Sequence, residues 1–134
     1  MLSSHQQLGK FGEDLAASFL QNKGYKIVRR NYRQKWGEID LIAIKYRGFI
    51  LKRIEKYVFV EVKTLRRNES GILPEDEVTP WKQQRIIRTA ETYLVEKGIF
   101  NSIPWQIDVI AIEVKNLGEK PIIRHWENVV WGNS

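Results

Sequence analysis

The chain has no cysteine and only two histidines among its 134 residues. The missing cysteine excludes zinc ribbons, thiol redox chemistry and a cysteine nucleophile, and it fits a reducing compartment. His5 and His125 stand isolated, without a partner at metal-ligand spacing. Each therefore reads as a surface or hydrogen-bonded side chain. No apolar run approaches the roughly 20 residues that span a bilayer. Met1 to Lys10 is polar and lacks the apolar segment of a signal peptide. The expectation is a cytoplasmic protein with no membrane partner. There is no glycine-rich phosphate loop, no serine-nucleophile elbow, no repeat and no low-complexity linker. A single domain over residues 1–134 is the natural reading at this length.

What the chain does contain is apolar material and positive charge. Hydrophobic residues make up 43% of it, enough for a core without disulfides. With 22 basic and 16 acidic residues the formal net charge is +6. Such a field favours polyanionic partners but does not choose among DNA, RNA and anionic lipid. On charge alone, a merely soluble basic protein is an equal alternative.

Leu8, Phe11, Leu15 and Phe19 recur at helical spacing within Gln6 to Lys23, with Gly12, Ala16 and Leu20 beside them. Gly24 follows as a C-terminal cap. Tyr25 to Tyr32 predicts a short strand, with Asn31 and Gly37 as turn residues around it. Glu38 to Ile44 alternates: Ile39, Leu41 and Ala43 on one side, Glu38, Asp40, Ile42 and Ile44 on the other. Val58 to Lys63 is a second β-prone run, with Glu61 and Lys63 sharing a face with Phe59. Lys45 to Lys56, basic and holding Gly48, reads as a long hairpin tip or a strand extension with a turn. Leu65 to Val78 has no clear period and reads as a loop. Thr79-Pro80 is a strong helix start. The helix runs to about Lys97, with Ile86, Ile87, Ala90, Tyr93 and Leu94 as its buried stripe. Trp105 to Val114 and Ile122 to Trp126 are further strands, Asn116-Leu117-Gly118 is a turn, and Val129 to Trp131 is a candidate continuation. The order predicts an α/β fold, a mixed sheet of about five strands flanked by helices.

The chemistry lies in Gly37-Glu38-Ile39-Asp40 and Glu61-Val62-Lys63. If their strands pair in the right register, Asp40, Glu61 and Lys63 converge. Two carboxylates can share a hard cation such as Mg²⁺. A lysine beside them can orient or help deprotonate a water, or stabilise charge on a phosphate. A metal so held activates water and polarises a phosphodiester. Glu-x-Lys alone is a weak signal, and Glu113-Val114-Lys115 repeats it. There, however, Asp108 lies five residues upstream on the same expected strand, which puts it on the opposite face. Periodicity leaves a solvated inter-strand salt-bridge cluster as open as a site for Asp40, Glu61 and Lys63.

Gly12-Glu13, Gly37 to Ala43 and Phe59 to Lys63 resemble the YraN-like family of small bacterial proteins. So do Val78-Thr79 with Lys82, Ile86, Ala90, Tyr93 and Leu94, and the run Asp108 to Ile112. The resemblance spans about Leu8 to Ile112. That family is similar to the restriction-endonuclease-like fold and, within it, to archaeal Holliday junction resolvases. The resemblance implies a PD-(D/E)xK nuclease core with metal-binding acids at Asp40 and Glu61, a catalytic lysine at Lys63 and a further helix-borne acid at Glu13. Magnesium is the implied cofactor, with manganese as an alternative. Two departures stand out: Ile39 replaces the proline common before the first acid, and Lys45 to Lys56 is longer than the usual tight hairpin.

Glu13 sits about 20° round the helical wheel from Leu20, at the border of the buried face; a solvated glutamate is the alternative. Glu38 reads as an outer ligand or a strand-start charge. Lys82 and Gln83 lie in a first helical turn, where the dipole favours phosphate. Arg33 precedes the acidic motif, and Arg66 and Arg67 follow Lys63. These arginines and Lys82 are the candidate phosphate-backbone contacts. Tyr32 and Trp36 are candidates for stacking on unpaired bases, against an ordinary core role. The expectation is a magnesium-dependent endonuclease acting on DNA, with branched structures as candidate substrates and a homodimer as a candidate assembly. The alternatives are a non-catalytic nucleic-acid-binding module of the same fold and, more weakly, a protein adaptor using exposed aromatics.

Overall fold

The computed structural model of the protein describes residues 4–67, 78–115 and 118–129. Most of the expected loop before Thr79, the first two residues of the turn at Asn116 and the end of the Val129–Trp131 continuation lie outside them. Helix α1 (Ser4–Asn22) is followed by strands β1 (Lys26–Gln34), β2 (Gly37–Arg47) and β3 (Arg53–Arg66), helix α2 (Pro80–Glu96), and strands β4 (Trp105–Val114) and β5 (Ile122–Trp126). They form one mixed five-stranded sheet in the order β1-β2-β3-β4-β5. Only β3 and β4 are parallel. The helix between them is the crossover that a parallel pair requires.

The two helices cover opposite faces of the sheet. Ala16, Ala17 and Leu20 of α1 pack on Leu41, Ala43, Val58, Val60, Ile110 and Ile112. Ile86, Ala90, Tyr93 and Leu94 of α2 pack on Tyr32, Ile39, Ile42, Phe59 and Ile107. The central strands are therefore buried on both faces, which is why they are apolar nearly throughout.

Three details depart from the sequence expectation or decide between its alternatives. First, the α1 stripe is displaced: Phe11 is exposed, while Gly12, Ala16, Ala17 and Leu20 are buried. A β-carbon on Gly12 would lie 1.8 Å from Thr64 Oγ1, so glycine lets the helix sit directly on β3. Small residues, not the largest ones, define the contact face. Second, of the two readings of Lys45 to Lys56 the strand extension with a turn holds: β2 runs on to Arg47 and β3 begins at Arg53. Gly48, at φ +92°, turns the chain, and Phe49, Ile50 and Leu51 stand exposed at the tip. Third, Ile39 packs on the α2 side with Ile42 rather than with Leu41. Its neighbour across β1 is Tyr32, and the intervening Asn31 has φ +52°. That left-handed residue breaks the alternation in β1 and, with it, in β2.

Candidate functional site

The break in alternation falls at Asp40. Pairs Arg30↔Leu41 and Tyr32↔Ile39 set Asn31 across from Asp40 on β1. On the other side the β2–β3 ladder reaches Leu41↔Val60, and one further step sets Asp40 across from Glu61. This second alignment depends on a bulge. From Arg47↔Arg53 and Tyr46↔Ile54 the register shifts by one residue to Lys45↔Lys56. Without that extra residue Asp40 would face Val60 and the two acids would lie on opposite sides of the sheet.

Beyond Leu41 the strands part, and the Asp40 side chain replaces the ladder bond. Val62 N–H donates to Asp40 Oδ2 at 2.8 Å. Asp40 is half-buried and Glu61 is buried. Burial pushes the Asp40 carboxyl well above the usual carboxylate range, and the neighbouring Glu61 charge adds to the effect. Glu61 is also raised by burial, but Lys82, a hydrogen bond from Asp40 and Lys63 oppose the rise. The two carboxylates thus oppose one another's ionisation. Lys63 is half-buried on the same face of β3, two residues beyond Glu61.

Two more acids lie near the pair, Glu13 on α1 and Glu38 on β2. The Asn31 amide, oriented with its nitrogen toward them, donates to Glu38 at 3.1 Å and to Glu13 at 3.2 Å. Glu13 is half-buried; burial raises its pKa, while Asn31 and Arg30 hold it back. Glu38 also accepts from Arg33 at 3.2 Å. The Gly12 contact with Thr64 fixes how closely Glu13 approaches β3. Gly37 does the same on the α2 side, where a β-carbon would lie 2.5 Å from Thr89 Oγ1 and 3.0 Å from the Arg85 carbonyl. Two of the three Gly-Glu pairs in the sequence, Gly12-Glu13 and Gly37-Glu38, are therefore places where a helix meets the sheet, each placing an acid near Asp40.

Asp40, Glu61 and Glu38 open into a cleft of about 420 Å³ walled by Arg33, Lys82 and Arg85. Lys82 is held by the start of α2, where its own N–H donates to the Thr79 hydroxyl at 3.3 Å in an N-cap. Among the sequence candidates, Asp40, Glu61, Arg33 and Lys82 line the cleft. Lys63 and Glu13 stand next to its acids, and both act on their charge. Arg66 and Arg67 are exposed at the far end of β3, roughly 16 Å beyond Glu61 at strand spacing. Sequence reasoning missed Arg85 and Trp81 as lining residues and took Asn31 only for a turn. An asparagine inside a strand, between Arg30 and Tyr32, was the available signal for Asn31.

The Glu113 repeat has a different fate. Glu113 pairs with Arg124 at 3.2 Å. Asp108, fully buried, accepts from Gln106 Nε2 at 2.8 Å, Asn128 N–H at 2.9 Å and His125 Nε2 at 2.7 Å. Lys23 Nζ lies 3.1 Å from His125 Nδ1, which assigns the ring proton to Nε2. His125 is thus not isolated: its side chain is 5% exposed and it bridges β5 to a buried acid. Glu127 completes an Asp108–His125–Glu127 group, in which it accepts from Tyr25 at 3.4 Å. The partner of His125 was illegible because it lies seventeen positions upstream on another strand.

Residues 12–112 match the model of the uncharacterised protein family UPF0102. The chain belongs to this YraN-like family. A UPF0102 protein of Chlorobium chlorochromatii is 42% identical over 129 residues, covering 93% of this chain and 92% of its own. One of Clostridium botulinum (strain Loch Maree / Type A3) is 37% identical over 124 residues, covering 92% and 94%. Another, of Chlorobium phaeobacteroides, is 39% identical over 122 residues, covering 91% and 88%. The family span begins at Gly12 and includes every residue of the acidic cleft, whereas His125 and Glu127 fall outside it. Among the described residues, no helix is long and apolar enough to cross a membrane.

Proposed function

We propose that this protein is a metal-dependent nuclease that hydrolyses DNA phosphodiester bonds, with branched, junction-like DNA as its substrate. The observation that carries the reading is the Asp40–Glu61 pair. Two facing carboxylates, one buried and one half-buried, repel one another, and a proton or a cation beside them relieves that repulsion. Their hard oxygen donors, with Glu13 nearby, suit Mg²⁺ and also Mn²⁺. When bound, such an ion supplies an activated water and polarises the scissile phosphate.

The chain's own groups account for the rest. Asp40 and Glu61 would hold the ion, and Glu13 would complete the site from α1. The Val62 N–H fixes the Asp40 carboxylate in place. Lys63 would orient the attacking water and stabilise the charge that develops on the phosphate. Lys82, Arg85 and Arg33, around the cleft, would neutralise the phosphate oxygens that repel a nucleophile. This division of roles is that of the restriction-endonuclease-like nucleases which the sequence resembles. A four-way junction has two symmetry-related scissile strands, so a homodimer is part of the proposal.

The test is cleavage of labelled junction, flap and duplex DNA with and without Mg²⁺. Asp40→Ala and Lys63→Ala should each lower cleavage by at least about a hundredfold, with circular dichroism unchanged. Cleavage that survives both substitutions would sink the assignment. Salt-sensitive binding with no magnesium-dependent cutting would point instead to a binding module.

A further inference from the structure

Trp81 occupies the first turn of α2, next to Lys82 in the chain, and is 68% exposed. Its ring is not loose. The Arg85 guanidinium lies 4.5 Å from its centroid, and Arg85 Nε donates to the Trp36 carbonyl. Arg88, one turn further along the helix, lies 4.3 Å from the Trp36 centroid. Gly37 locks the β1–β2 turn against this helix, as its contacts with Thr89 and Arg85 require. Trp81 and Arg85 belong both to the wall of the acidic cleft and to a second, largely apolar recess with Trp36 and Arg88. The lip of the cleft is therefore the Trp81 ring with the Arg85 guanidinium over it, and the Trp36 ring with the Arg88 guanidinium over it lies in the adjoining recess.

We propose that Trp81 is a stacking platform for an unpaired nucleobase, so that the substrate carries a single-stranded nucleotide beside the phosphate held in the cleft. The inference rests on the nuclease reading and narrows its substrate class. Guanidinium groups are matched to phosphate, and a tryptophan face is matched to a base of any sequence. Inside a continuous duplex both faces of every base are covered by its neighbours. Only a flap, an opened junction arm or a single strand offers a free face next to a scissile bond. Lys82, the next residue, is directed by the same helical turn toward Glu61, so one turn would hold base and phosphate together.

Metal-free binding by fluorescence anisotropy in EDTA at low salt tests this. The probes are a dT12 single strand, the same strand carrying abasic sites, and a blunt 20-base-pair duplex. Trp81→Ala should weaken dT12 binding by about five- to a hundredfold and change duplex binding less than about twofold. Trp81→Phe should retain most of the single-strand affinity. The abasic strand should bind the wild type and Trp81→Ala alike. Equal losses on dT12 and duplex, or no loss on dT12, would overturn the stacking role and leave the nuclease reading standing. Absence of binding to every probe by the wild type would overturn both.

Discussion

Asp40→Asn isolates the electrostatic cost of the acidic pair. The folded-state pKa of Asp40 is raised above its ordinary value of 3.8 by burial and by Glu61. A carboxyl raised in this way contributes stability that is complete below the unfolded pKa and is lost as pH rises through the folded pKa. Between the two values the folded protein holds one proton more than the unfolded chain. Its stability then falls by about 1.4 kcal/mol per pH unit. At about 2.1 cal/mol/K per residue, unfolding 134 residues carries an entropy of roughly 280 cal/mol/K, so the slope is about 5 °C of Tm per pH unit. Asparagine keeps an oxygen for the Val62 N–H and never ionises. The Tm difference, variant minus wild type, should therefore climb from pH 4.5 upward and level off above the raised pKa. Differential scanning fluorimetry from pH 4.5 to 8 in EDTA measures it, and taking the difference cancels the other carboxylates. Added Mg²⁺ should stabilise the wild type at pH 8 more than the variant. A difference that stays flat with pH would show that Asp40 ionises freely. The pair would then need neither a proton nor a cation to stay together.

Three other perturbations separate the parts of the molecule. Gly12→Ala puts a methyl into Thr64 and should cost about 1–3 kcal/mol in urea unfolding; an unchanged midpoint would mean that α1 is free to lift off β3. Deleting Glu55 removes the extra residue near the hairpin tip and invites a one-residue slip of β3 on β2. A folded deletion variant that lost Mg²⁺ binding by calorimetry would tie the bulge to the pairing of the acids, and one that kept it would dismiss the bulge. His125→Ala strips one donor from the buried Asp108 and should cost about 2–3 kcal/mol. Mg²⁺ affinity at the cleft should be untouched, and a parallel loss there would contradict the separation of the two clusters.

The sheet and both helices were legible because each element repeats one period over enough residues to identify it. What escaped was set by contacts between elements. The α1 face moved because Gly12 meets Thr64, a pairing fifty-two positions apart that no helical wheel contains. The β2 alternation broke at Asp40 because Asn31, on another strand, adopts a left-handed conformation. For the acids, the sequence put Asp40 and Glu61 on neighbouring strands, but their alignment awaited a register that depends on a bulge near the tip. The nearness of Lys82 to Glu61, and of Glu13 to Asp40, required knowing which sheet face each helix covers.

The two acidic clusters show why such placement matters more than composition. Both lie against strand residues that are otherwise apolar, and each includes a carboxylate withdrawn from water. Asp108 is provided with donors by the protein: an amide, a backbone N–H and an imidazole N–H. Its negative charge is answered internally, as a buried charge in a structural role must be. Asp40 receives the Val62 N–H and then faces Glu61, with Glu13 and Glu38 close enough to raise its pKa further. An arrangement that gathers acids around one donor is poor as a structural solution and suitable as a receptor for positive charge. Lys82 and Lys63 temper the charge on Glu61 without neutralising the group. On the proposed reading, an external cation would sit beside Asp40 and Glu61, in the cleft that Arg33, Lys82 and Arg85 wall.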